Sequence, residues 1–182
     1  MRAFIAIEVS PEVKKDIEKF QSELQKQDFV TANWTSEYHL TLKFLGEIDE
    51  LKQKKIEKVL SEIASKTKRF ELELKGVGAF PAQDYVRVLW VGAGYGDDEA
   101  KFLQKQIDES LEELDFEKEK DYVNHLTLAR VKSVKDRVKL KKFFENKKSF
   151  GKFKVSEIKL IKSELTKKGP IYSVIAEFHL NP

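Results

Sequence analysis

Apolar and polar positions recur along this chain with periods that predict most of its elements. Residues 2–9 are apolar on nearly both faces, the pattern of a central strand. Ser10 and Pro11 read as an N-cap and first helical position, and Val13, Ile17, Phe20 and Leu24 follow at helical spacing. Residues 29–34 are short and ambiguous. Residues 39–45 form a β-prone run that ends at Gly46. Asp49 is expected to cap a second helix carrying Ile56, Val59, Leu60 and Ile63. Phe70, Leu72 and Leu74 alternate with Glu71, Glu73 and Lys75 as in a half-exposed strand, which Gly76, Gly78 and Pro81 are expected to break. Residues 85–91 predict another strand, closed by a turn at Gly92, Gly94 and Gly96. Asp97 or Asp98 then caps a helix bearing Phe102, Leu103, Ile107, Leu111 and Leu114. Residues 123–131 predict a strand. Ser133 to Asp136 reads as a capping box for a helix running through about Phe144. Residues 153–161 and 171–180 read as two last strands, joined through Lys167, Lys168, Gly169 and Pro170.

Many strands with four interspersed helices, in the rough order helix, strand, helix, strands in each half, predict an α+β fold. Two pseudo-symmetric lobes, each an antiparallel sheet with helices on its outer face, should enclose a central cleft. No low-complexity linker separates the halves, so residues 1–182 are expected to form a single bilobal domain. Composition narrows the classes further. Hydrophobic content of 41% is enough for a core, and a net charge of only +3 means the chain as a whole is no polycation. No apolar run is long enough to span a bilayer, the N-terminus lacks a signal-peptide pattern, and no membrane is expected. With no cysteine there is no disulfide framework, thiol nucleophile or thiolate metal site, and the cytoplasm is the expected location. One Met, no Cys and abundant Lys and Glu resemble a thermophile's composition. The glycines at 92, 94 and 96 have the wrong spacing for a dinucleotide fingerprint.

The chemistry lies in a repeated tetrapeptide. His39-Leu40-Thr41-Leu42 recurs as His125-Leu126-Thr127-Leu128, 86 residues on, and uses two of only three histidines. A chance His-x-Thr is expected about 0.1 times in a chain of this composition. An internal duplication that kept one half-site in each copy explains the pair. On a strand, side chains alternate between faces, so His39, Thr41 and Lys43 should share one face and Leu40, Leu42 and Phe44 the other. His125 and Thr127 should likewise oppose Leu126 and Leu128. If the lobes face each other, two imidazoles that titrate near neutrality meet in one cleft. A neutral ring can take a proton from an attacking water or hydroxyl, and a protonated ring can give one to the departing oxygen. The two Thr hydroxyls can donate to non-bridging oxygens. That set suits attack at phosphorus. It calls for no metal or other cofactor, and the carboxylates form no clustered ligand set.

Blander readings attach to each residue. A lone strand His is usually structural and a lone strand Thr is usually just β-prone; the duplication is what turns the argument toward chemistry. His179 has no Thr partner and reads as surface or structural. Arg130 ends the second His strand. Strict alternation would point it away from His125, so a role on phosphate needs the strand to twist or end there; the alternative is a surface ion pair. Ten basic residues between Lys132 and Lys154 face only Asp136 and Glu145, and could hold an RNA backbone or simply form a solvated face. The acidic stretch from Asp108 to Glu119 would repel RNA. Phe80, Tyr85, Trp90 and Tyr172 are each candidates for stacking on a base or for the core.

These residues carry a resemblance to a known family. The chain resembles the 2H phosphoesterases, specifically the RNA 2′,3′-cyclic phosphodiesterase group, also called 2′-5′ RNA ligases. The matching stretches are Arg2 to Ile7, Trp34, His39 to Gly46, Gly78 to Pro81, Val88 to Gly92, His125 to Arg130, Ser163 to Leu165 and Gly169 to Tyr172. The resemblance implies a bilobal α+β fold and metal-free opening of a terminal 2′,3′-cyclic phosphate to a 2′-phosphate. It implies that His39 donates the proton to the departing 3′ oxygen and His125 activates water. Thr41, Thr127 and Arg130 would bind the phosphate. Some members also join RNA ends by the reverse reaction. The expected partners are RNA ends bearing 2′,3′-cyclic phosphate, tRNA fragments among them, with the protein acting as a monomer. Two alternatives stand beside this: a phosphodiesterase acting on small cyclic nucleotides or 2′-5′ oligonucleotides, and a non-catalytic RNA-binding module.

Overall fold

The computed structural model describes residues 1–182, and its elements follow the apolar pattern closely. β1 (Arg2–Glu8) is buried at every position from Ala3 to Ile7 because sheet neighbours flank it on both sides and apolar side chains pack on both faces. The Ser10 side chain accepts from the Val13 N–H and opens α1 (Pro11–Gln27), which buries Val13, Ile17, Phe20, Gln21 and Leu24. The ambiguous stretch becomes a short strand, β2 (Val30–Trp34), followed by β3 (His39–Glu47). Asp49 caps α2 (Glu50–Lys66) as expected. β4 (Phe70–Ala82) does not break at its glycines: it runs on through Gly76 and Gly78 with a register shift between Leu74 and Val77. Gly78 belongs in the strand because a Cβ there would lie 2.2 Å from the Trp90 ring.

β5 (Tyr85–Ala93) leads into α3 (Asp97–Leu111). The N-cap of α3 is Gly96, at φ 82°, rather than an aspartate; Asp97 and Asp98 lie in the first turn. β6 (His125–Val134) runs farther than expected. Ser133 pairs with Thr31 in that strand instead of opening a capping box, and Asp136 caps the short α4 (Arg137–Phe143), accepting from the Val138 and Lys139 N–H groups. The run read as one strand at residues 153–161 is two, β7 (Ser149–Val155) and β8 (Glu157–Thr166), which belong to different sheets. β9 (Gly169–His179) returns antiparallel to β8.

The strands make two antiparallel sheets, ordered β3-β1-β8-β9 and β2-β6-β5-β4-β7. Omitting β2, the second order matches the first strand for strand, with β6 in the place of β3 and β5 in the place of β1. Two of the helices, α1 and α3, reach across to the other sheet. α1 follows β1 but packs on the other sheet, where Phe20 meets Phe150 of β7 and Phe143 of α4. α3 follows β5 yet contacts β3 as well as β4, and α2 lies on β8 and β9. One continuous core of 41 buried residues fills the space between helices and sheets, with Leu40, Leu42, Leu126 and Leu128 all inside it. Phe4, Ala6 and Ile161 form a separate small cluster on the opposite face of the first sheet. The fold is thus α+β with two similar antiparallel sheets, as the sequence predicts. No helix is long and apolar enough to cross a membrane.

Candidate active site

The two His strands share the irregularity that follows the motif. β3 and β6 share one burial pattern over nine positions: half-buried His, buried Leu, half-buried Thr, then two buried residues, one exposed, one buried and two exposed. Two consecutive buried residues betray a β-bulge. In β3, Ile5 pairs with Lys43 and Ala6 with Thr41, leaving Leu42 unpaired; in β6, Leu89 pairs with Ala129 and Trp90 with Thr127, leaving Leu128 unpaired. A bulge adds one residue and resets the alternation. It turns Lys43 and Ala129 inward and puts Phe44 and Arg130 on the face of the histidines. Alternation fails at three positions, and Phe44 lies with His39 rather than with Leu40 and Leu42. Lys43 does not share the face of His39, and Arg130 does share the face of His125.

Each imidazole stands against two aromatic rings. His39 lies 5.7 Å from Phe4 and 5.5 Å from Tyr172, in both cases edge to face. His125 lies 4.7 Å from Phe80, again edge to face, and 6.1 Å from Trp90. These walls fix the rings and shield them from water. Tyr85, the fourth candidate aromatic, lies instead on the β4–β5 hairpin against Arg87.

The halves meet at several points. Thr41 of the first motif and His125 of the second line one cavity of about 200 Å³, together with Phe44, Phe80 and Tyr122. The Tyr122 hydroxyl donates to the Thr41 carbonyl at 3.0 Å. The positive charge of Arg130 acts on both His125 and Tyr172, and Tyr172 packs on His39. A larger cavity of about 340 Å³ lies between α3 and residues 118–122; it is lined by paired lysines and carboxylates and contains no histidine.

Burial pushes both histidines below the ordinary imidazole value, since desolvation penalises the cation. Their charged neighbours differ. At His39, Glu37 and Glu8 pull the value back up against Lys159 and Lys14. At His125, Arg130 pushes it further down, while the ring's bond to the Val123 carbonyl opposes that. The bond joins His125 Nδ1 to the Val123 oxygen at 2.8 Å. A carbonyl only accepts, so Nδ1 carries the proton and the Nε2 lone pair is left available. Carboxylates thus act on His39 and a guanidinium on His125, a distinction that spacing in the sequence leaves open.

His179 sits on the opposite edge strand of the first sheet, mostly exposed, 3.3 Å from Glu157. With Glu157 and Glu177 it makes the one group of three acidic or imidazole side chains close enough to share a metal ion. The Lys159 ammonium already lies 3.3 Å from each of those glutamates and pairs with Glu8 as well, so the place of a cation is taken by a side chain. The basic segment lies elsewhere. α4 buries Leu140 and Phe143 in the core, on the side of the sheet away from His125. Lys135 pairs with Asp28, and Lys139 reaches the Gln27 carbonyl.

Comparison with known proteins agrees with this geometry. The family model of the 2′-5′ RNA ligase superfamily matches residues 9–167. A Methanocaldococcus jannaschii protein named RNA 2′,3′-cyclic phosphodiesterase is 41% identical over 180 residues, covering 98% of this chain and 100% of its own. A Methanothermobacter thermautotrophicus protein of the same name is 34% identical, covering 99% of each chain. A crystal structure of a Thermus thermophilus protein superposes with a TM-score of 0.82 at 27% identity, over 99% of this chain and 98% of that one.

Proposed function

This chain belongs to the 2′-5′ RNA ligase superfamily, and on that premise we propose that it is an RNA 2′,3′-cyclic phosphodiesterase with His39 and His125 as its proton carriers. The observation that carries the proposal is the paired architecture: two His-x-Thr strands with the same bulge and the same burial, with Thr41 of one and His125 of the other lining one cavity. Neutral His125, held with Nε2 open by the Val123 carbonyl, takes a proton from water as its oxygen attacks phosphorus. The P–O3′ bond breaks, His39 delivers its proton to the departing 3′ oxygen, and the phosphate stays on the 2′ oxygen. Thr41 and Thr127 donate to the non-bridging oxygens, and Arg130 offsets their charge. If a 5′-hydroxyl replaces water, the same steps join two ends through a 2′-5′ linkage.

No step needs a Lewis acid, because each developing charge has a protein donor or acceptor beside it. RNA ends bearing the cyclic phosphate, tRNA fragments among them, are the substrates, and a monomer in the cytoplasm suffices. The test is an oligoribonucleotide ending in 2′,3′-cyclic phosphate, incubated with and without EDTA. A 2′-phosphate product formed equally in both supports the reading. A 3′-phosphate product contradicts the assigned geometry, and chelator-sensitive activity restored by added metal contradicts the metal-free mechanism. Equal turnover of small cyclic nucleotides would move the substrate assignment away from RNA ends.

A further inference from the structure

Two buried polar side chains lie at matching places in the duplicated halves. The buried positions 13, 17, 20, 21 and 24 of α1 correspond to 100, 104, 107, 108 and 111 of α3, a spacing of 87, one more than that between the histidines. The correspondence places Gln21 opposite Asp108, and both are 5% exposed. Each makes the same kind of bridge. Gln21 Nε2 donates to the Leu128 carbonyl at 2.8 Å, at the bulge of β6, and to the Thr35 carbonyl at 2.9 Å, while its Oε1 accepts from the hydroxyl of Tyr38. Thr35 and Tyr38 belong to the segment leading into His39. Asp108 accepts from Lys43 Nζ at 2.5 Å, beside the bulge of β3. It also accepts from the Glu119 N–H at 3.0 and 3.2 Å, in the segment leading into His125.

Each helix thus ties the lead-in of its own half-site to the bulge of the other. We propose that Gln21 and Asp108 are paired positioning residues that set the two histidines against each other across the cleft. For His125 the route is continuous. Asp108 holds Glu119, Lys43 also donates to the Glu117 carbonyl at 2.7 Å, and Tyr122 is tied to Thr41 at 3.0 Å. Asn124 donates to Asp97 at 2.8 Å. Val123 lies between those last two anchors, and its carbonyl is what fixes the His125 tautomer. Loss of the clamp frees the carbonyl and lets the ring sample the tautomer protonated on Nε2, which has no lone pair there to take a proton.

The proposal rests on the two-histidine reading above, but its first readout does not depend on activity. Long-range ¹H–¹⁵N NMR of the histidine rings reports the tautomer directly. Three variants suit it: Tyr122→Phe, Gln21→Met, and the double change Lys43→Met with Asp108→Asn, which leaves no lone buried charge. In the native chain, neutral His125 should be protonated on Nδ1 alone. Tyr122→Phe and the double variant should give a mixture of tautomers. All three should lower kcat about tenfold with KM within about twofold, since alignment is lost while binding groups remain. Native tautomer and native kcat in Tyr122→Phe and in the double variant would overturn the proposal. So would a loss of kcat that follows the melting temperature with the tautomer unchanged. An inactive native chain whose variants still shift the tautomer would sink the cyclic-phosphate reading and leave the clamp standing.

Discussion

β3 and β6 carry the same motif, the same bulge and the same sequence of buried and exposed positions, yet their outer edges are secured by different means. β6 is covered by a strand: β2 pairs with it from Val30 to Trp34, and the Thr35 N–H continues the contact to the Leu128 carbonyl. β3 has no such strand. The segment before His125 lies against it through side chains, with Lys43 reaching Asp108 and the Glu117 carbonyl and Tyr122 reaching the Thr41 carbonyl. The residue exposed after each bulge differs too, Phe44 in one half and Arg130 in the other. The two halves share the strand geometry of the motif, while the supporting contacts and the charge beside each imidazole differ. That divergence leaves carboxylates near His39 and a guanidinium near His125, the asymmetry on which the proposed division into acid and base rests.

The largest test of this comparison removes one imidazole at a time. His39→Ala and His125→Ala should each lower kcat on a cyclic-phosphate RNA end by a factor on the order of 100 or more, measured by single-turnover kinetics. A non-catalytic RNA binder would keep its affinity through both changes. Next in size are the threonines. Thr41→Val and Thr127→Val keep β-branched shape and remove one donor each, and should cost about tenfold in kcat/KM apiece. Equal losses support true equivalence of the half-sites, and one silent variant breaks it.

The two post-bulge positions should then separate. Arg130→Met should raise KM about tenfold, whereas Phe44→Leu should leave it within about twofold. Similar effects at both would show that the charge asymmetry has no bearing on phosphate. The smallest effect is on pH. Burial lowers both histidines, so both limbs of the kcat/KM bell move to lower pH, and the bell should centre below the ordinary imidazole value of about 6.5. Bound phosphate favours the imidazolium forms, so the kcat bell should lie at higher pH than the kcat/KM bell.

The duplicated motif, the fold class and most helices are legible in the sequence because they depend on local pattern. What escapes it depends on the partner strand or on distant contacts. Nothing in His39 to Gly46 announces the bulge at Leu42, which exists only in the register with β1, and so strict alternation places Lys43 on the wrong face. Ser133 has the spacing of a capping residue, but pairing with Thr31 keeps it in β6. Gly76 and Gly78 resemble strand breakers, yet Gly78 is the site where the Trp90 ring lies on the backbone. Gln21 and Asp108 leave one faint signal, a polar residue within each apolar helical stripe at nearly the histidine spacing. Their partners lie up to 107 residues away and only the folded chain reveals them.

If one imidazole gives a proton while the other takes one at the same phosphate, the pH dependence of kcat/KM in the two single-histidine variants should show it. His125→Ala should lose the acid-side fall and keep the alkaline one, and His39→Ala should do the reverse. Loss of the same limb in both variants, or a full bell at the native rate in either, would contradict it.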